Sequence, residues 1–107
     1  MPIIKFSGID KKEILEYSKK VNELSKLVNA DPENILFIND NSEISKSPKG
    51  VELLYITIEW MARPDKQQLV VNNLMEHFKK ENRNIFIFIT NVDGMLYVNC
   101  NKKGISN

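Results

Sequence analysis

The sequence has one cysteine, one histidine and one tryptophan among its 107 residues, and each scarcity excludes something. Cys100 alone cannot close an internal disulfide. Cys100 and His77 together offer too few soft ligands for a structural zinc site, so neither a metal nor another cofactor is expected. An excess of one charge is also lacking. Lys and Arg total 15 against 14 Asp and Glu, a net charge of +1, which argues against nucleic acid as the main partner. No apolar run approaches the length of a membrane span, and the start does not have the basic-then-apolar order of a signal peptide. The expectation is a cytoplasmic protein with no membrane partner.

What is present reads as one folded domain over residues 1–107. The 42% hydrophobic and 27% charged content is that of a soluble globular chain long enough to bury a single core. Met1-Pro2-Ile3-Ile4-Lys5-Phe6 puts a proline directly before a strand-like apolar run. A proline that opens an edge strand needs no function, because its missing N–H costs nothing there. Once Met1 is removed, however, Pro2 carries a secondary amine able to act as a base. The residues by themselves allow both readings.

After Ser7-Gly8 the pattern turns helical. Asp10 is placed to cap a helix with Glu13 reaching back, and Ile9 and Ile14 occupy the two places of a hydrophobic staple. Ile14, Tyr17, Val21, Leu24 and Val28 recur at three- and four-residue spacing, which predicts one long helix ending at the Asn29 to Asn34 turn. Ile35 to Ile38 predicts a strand covered on both faces. Asn39 to Gly50 predicts the longest loop. Val51 to Trp60 predicts a long strand with Leu54, Ile56, Ile58 and Trp60 on one side. Arg63-Pro64-Asp65 predicts the start of a second helix, with Val70, Val71, Leu74 and Phe78 as its buried stripe. Ile85 to Ile89 predicts another strand apolar on both faces. Asp93-Gly94 signals a hairpin, with Met95 to Asn99 folding back before a loose polar tail. Cys100 falls in that tail and reads as inert, while His77 reads as an exposed helix residue beside Glu76 and Lys79.

The chain also echoes itself. Asn34-Ile35-Leu36-Phe37-Ile38-Asn39 and Asn84-Ile85-Phe86-Ile87-Phe88-Ile89 are 50 residues apart, and each follows a strand and a helix. The economical fold class is α+β. Two tandem β-α-β units, about 1–40 and 51–91, would share a four-stranded mixed sheet with two helices on one face, followed by a short C-terminal strand. The second sheet face would remain rich in Ile, Leu and Phe, which predicts burial against other copies of the chain. The same element order also fits a ferredoxin-like sheet, a dimeric or ligand-binding module in which Pro2 has no role.

Met1-Pro2 before a strand, the Glu59-Trp60-Met61-Ala62-Arg63 segment leading into the second helix, and the aromatic last strand around Tyr97 resemble the tautomerase superfamily. That superfamily includes the oxalocrotonate tautomerases and the macrophage migration inhibitory factors, and the nearer likeness is to a small uncharacterised bacterial domain-of-unknown-function family within it. The resemblance implies a homotrimer with sites near the subunit boundaries. It also implies keto-enol tautomerisation of a small 2-oxo acid, an isomerase reaction in which Pro2 moves the proton. Arg63 would hold the substrate carboxylate, and Trp60 and Tyr97 would line the site. A non-catalytic oligomeric or small-ligand-binding protein is the alternative. The chain departs from the superfamily pattern at Ser7-Gly8-Ile9, where oxalocrotonate-type enzymes place an arginine. It departs again at Ile35 to Ile38, which has no basic residue, and at Ile85 to Ile89, which lacks polar side chains.

Overall fold

A computed structural model describes residues 2–40, 51–61, 63–92, 96–99 and 101–103. In chain order the elements are β1 (Ile3–Ser7), α1 (Lys11–Ser18), α2 (Val21–Val28), a 3-10 turn (Pro32–Asn34), β2 (Leu36–Asp40), β3 (Glu52–Met61), α3 (Gln67–Phe78), β4 (Arg83–Val92), β5 (Leu96–Val98) and β6 (Asn101–Lys103). The first four strands form one mixed sheet in the order β2-β1-β3-β4. β1 and β2 are parallel, β3 and β4 are parallel, and β1 meets β3 antiparallel. Each parallel pair is joined through helix, as a parallel connection requires. The sheet is therefore two β-α-β units placed back to back. In a ferredoxin-like sheet the β-α-β unit is split by an inserted strand, and here the parallel strands are direct neighbours, which excludes that alternative.

The two units meet where Phe6 lies opposite Ile56, a pair separated by the 50-residue interval of the sequence echo. The second strands match two residues out of step with that echo. Leu36 lies opposite Ile3, whereas Asn84 lies opposite Leu53, so the first crossover is two residues longer than the second.

Strand alternation assigns the core. Ile4 and Phe6 of β1 and Leu54, Ile56, Ile58 and Trp60 of β3 are buried on one sheet face, with Ile85, Ile87 and Ile89 half-buried beside them. Ile14 and Tyr17 of α1, Leu24 and Val28 of α2, and Val70, Leu74 and Phe78 of α3 cover that face. Phe6, Tyr17, Phe37 and Phe78 interlock, with ring centroids between 5.2 and 6.1 Å apart. Trp60, Tyr17 and Phe6 are the largest side chains in this layer, so it carries most of the hydrophobic stabilisation.

The structure revises several local expectations. The predicted long first helix is two helices. Ser18 Oγ donates to the Leu15 carbonyl at 2.7 Å and the Lys20 amide donates to Tyr17 at 2.9 Å, so the backbone tightens at Lys19-Lys20 before α2 begins. Asp10 makes no side-chain cap, and Glu13 does not reach back to it, because the Glu13 carboxylate is taken by Arg83. Lys66 bonds back to Arg63 in a turn, and α3 starts at Gln67 instead of at Arg63-Pro64-Asp65. The Asp93-Gly94 signal lies outside the described residues, as do Cys100 and most of the predicted 39–50 loop. Instead of a loose tail, β6 pairs with β5 through a turn at Asn99, whose φ of 53° is the left-handed conformation that asparagine tolerates.

β2 and β4 are the two edges of the sheet, and neither is covered on both faces. Leu36 and Ile38 of β2 and Phe86 and Phe88 of β4 point away from the helices and are 45%, 38%, 50% and 62% exposed. The Tyr55 and Phe88 rings meet edge to face on this open side, 5.8 Å apart. Among the described residues no helix is long and apolar enough to cross a membrane.

Candidate functional site at the Pro2 end of the sheet

Pro2 opens β1 with no N–H to place in a ladder, and its carbonyl accepts from the Leu36 amide at 3.0 Å. The β1–β3 register, with Ile4 opposite Ile58 and Ile3 opposite Glu59, runs on to bring Pro2 level with Trp60. Alternation puts Pro2 on the helix-covered face with Ile4 and Phe6, and it is buried there. Trp60 is 1% exposed, and its indole Nε1 donates to Asn91 Oδ1 at 2.8 Å.

Arg63 follows β3 at the same end. Its Nη1 donates to the Val28 carbonyl at 2.5 Å and to the Asn29 carbonyl at 3.4 Å. Asn29 closes α2 in the left-handed conformation and the Ala30 amide returns to Ser25, so the guanidinium completes a helix C-terminus where free carbonyls and the helix dipole favour a cation. α3 begins at Gln67, four residues after Arg63. Pro2, Trp60 and Arg63 thus gather at one end of the sheet. Tyr97 lies on the β5–β6 pair and is 61% exposed.

The opposite end of the sheet is built around Arg83. Its side chain is 1% exposed. Nη1 donates to Glu13 Oε1 at 3.0 Å and to the Phe78 carbonyl at 2.9 Å, and Nη2 donates to Glu13 Oε2 and Glu52 Oε1, each at 3.0 Å. Nε is buried without a partner, so four of the five donors of the fork are satisfied. Burial opposes the charge, but the hydrogen bonds to Glu13 and Glu52 outweigh it and hold the Arg83 pKa above its ordinary value. A groove of about 520 Å³ runs beside it, lined by residues that include Met75, Lys79, Lys80 and Ile85.

A polar network crosses the helix layer between the two ends. Tyr17 Oη donates to Asn73 Oδ1 at 2.7 Å, and Asn73 Nδ2 donates to Glu23 Oε1 at 3.2 Å. Burial, reinforced by Glu23, raises the Tyr17 pKa well above its ordinary value, so its hydroxyl stays a donor. His77 is half-buried against the Tyr17 and Phe78 rings, not simply exposed. It borders a polar groove of about 280 Å³ with Lys20, Glu23, Asn73 and Glu76. Desolvation first, and Lys20 second, lower its pKa. Among the described residues no group of three or more His, Cys, Asp or Glu could hold a metal ion.

Comparison with known proteins places this architecture. The family model described as a domain of unknown function, DUF1904, matches residues 1–103. No curated protein matches the sequence. A DUF1904 protein of Sebaldella termitidis superposes with a TM-score of 0.73 at 17% identity, over 87% of this chain and 90% of that one. A macrophage migration inhibitory factor homologue from Prochlorococcus marinus superposes with a TM-score of 0.72 at 12% identity, over 95% of this chain and 99% of that one. The macrophage migration inhibitory factor of Oncomelania hupensis gives 0.73 at 17% identity, over 99% and 84%. At these identities the likeness is one of fold, and the fold is tautomerase-like.

Proposed function

Because the chain belongs to the DUF1904 family and has a tautomerase-like fold, we propose that it catalyses keto-enol tautomerisation of a small 2-oxo acid through Pro2. The observation that carries this reading is the burial of Pro2 at the start of β1, level with Trp60. With Met1 removed, the Pro2 nitrogen is a secondary amine, and an apolar surround disfavours its protonated form. Near neutral pH such a nitrogen can accept the enol hydroxyl proton and return a proton to carbon, as general base and then general acid. With Met1 attached the nitrogen is an amide and has no basic lone pair. Arg63, at the same end, is the proposed holder of the substrate carboxylate, and Trp60 is an apolar wall. The exposed Leu36, Ile38, Phe86 and Phe88 support a homotrimer whose neighbouring subunit would supply Tyr97.

The test compares enol-to-keto conversion by protein shown by intact mass to begin at Pro2 with protein retaining Met1. General base action is worth about a hundred- to ten-thousand-fold, so the Met1 form is expected near the uncatalysed rate. Equal turnover by both forms would remove Pro2 from the mechanism. The engagement of Arg63 with the α2 carbonyls favours a second reading, a non-catalytic oligomer in which that end is purely structural. Absence of turnover from both forms would select it.

A further inference from the structure

The inward row of β4 reads Ile85, Ile87 and Ile89, each half-buried against the core, and then turns polar at Asn91. Asn91 pairs with Trp60 in the parallel ladder, and its Oδ1 accepts the indole N–H at 2.8 Å. Trp60 is in turn level with Pro2 on the next strand, both of them buried on the same face. The row Asn91, Trp60, Pro2 therefore crosses three neighbouring strands at the end of the sheet where the proposed site lies.

We propose that Asn91 is a positioning residue for the Pro2 site, holding the Trp60 indole against the Pro2 ring. This rests on the reading of Pro2 given above. An indole has two side-chain torsions and one polar atom. Fixing that atom to an acceptor on a strand fixes the plane of the ring, and so fixes the apolar wall beside the Pro2 nitrogen. Asparagine serves where leucine would continue the row, because a buried indole N–H left without an acceptor is costly. The indole wall then sets how far water reaches the amine.

The test uses full-length chain shown by mass to begin at Pro2 and labelled with 15N-proline, in which Pro2 is the one proline nitrogen that titrates. Its titration midpoint is followed by NMR in the wild type, Asn91→Leu, Asn91→Ala and Trp60→Phe, the last of which keeps a ring and loses the donor. Both Asn91 variants are expected to raise the midpoint by about half a unit or more as water reaches the amine, and to leave the circular dichroism of the fold unchanged. In the Trp60→Phe background, Asn91→Leu is expected to add no further shift. An unchanged midpoint in folded Asn91 variants would overturn the proposal, as would a shift that persists undiminished without the indole N–H. The wild-type midpoint is a separate reading: a value in the range of an ordinary exposed amine counts against Pro2 as the base, whatever the variants do.

Discussion

The two ends of the sheet are built from the same parts and arranged for different duties. At each end an arginine Nη1 reaches the carbonyls of a helix C-terminus: Arg63 bonds to Val28 of α2, and Arg83 to Phe78 of α3. At each end a strand begins, β1 at Pro2 and Ile3, β3 at Glu52, which stand in corresponding places about the Phe6–Ile56 crossing. Where the first unit has a proline beside an indole, the second has a carboxylate that joins Glu13 around a buried guanidinium. Arg83 ties α1, β3, β4 and the end of α3 together with charge-assisted bonds. The Pro2 end instead buries a proline level with Trp60. The duplicated β-α-β unit thus fastens the helix layer at one end and leaves the other with a chemically distinctive group.

This contrast gives graded expectations. Arg83→Met should cost the most, about 2 to 4 kcal/mol of unfolding free energy, because it strips a buried charge from its partners while Glu13 and Glu52 recover part of their solvation. Urea unfolding would measure it, and turnover per folded molecule should not change. Arg63→Ala should cost about 1 kcal/mol through the lost helix-end bonds. Unlike Arg83→Met, it should also weaken binding of a small carboxylate, readable by calorimetry. If carboxylate affinity does not move, Arg63 is only the counterpart of Arg83, and the contrast between the ends shrinks.

The smallest effect belongs to His77, in the last turn of α3. Its pKa is lowered in the folded state, so the unfolded chain takes up the proton first as pH falls below the ordinary value of 6.5. The stability His77 contributes is full above that pH and is lost as pH falls through its folded pKa. His77→Gln should therefore flatten the stability profile below about pH 6.5, with little change at pH 8. A change that appeared only at the alkaline side would mean that His77 is stabilised in its charged form.

The duplicated architecture was legible because hydrophobic period is a direct record of burial. The β3 alternation and the α3 stripe located Leu54, Ile56, Ile58, Trp60, Val70, Leu74 and Phe78 in the core. The edge strands misled because a run such as Ile35 to Ile38 reads the same whether its second face meets a helix or lies open. Arg83 was invisible for a different reason. Its partners Glu13 and Glu52 are 70 and 31 residues away, and the capping pattern offered Glu13 a local partner that the tertiary structure overrode. Asn91 did carry a signal, since it interrupts a strictly alternating isoleucine row, but only the Trp60 pairing gives that interruption a meaning.

The division between the ends turns on whether Pro2 is a neutral, reactive amine. Reductive trapping reads this directly and requires no turnover. Protein shown to begin at Pro2 is incubated at pH 7 with pyruvate, a small 2-oxo acid, and cyanoborohydride, and the adducts are located by peptide mass mapping. A neutral secondary amine condenses with the ketone, loses water to give an iminium ion, and is fixed by hydride as a tertiary amine. Pro2 is expected to be modified well before Lys79 or Lys80 at the Arg83 end. Adducts on those lysines with Pro2 unmodified would contradict it.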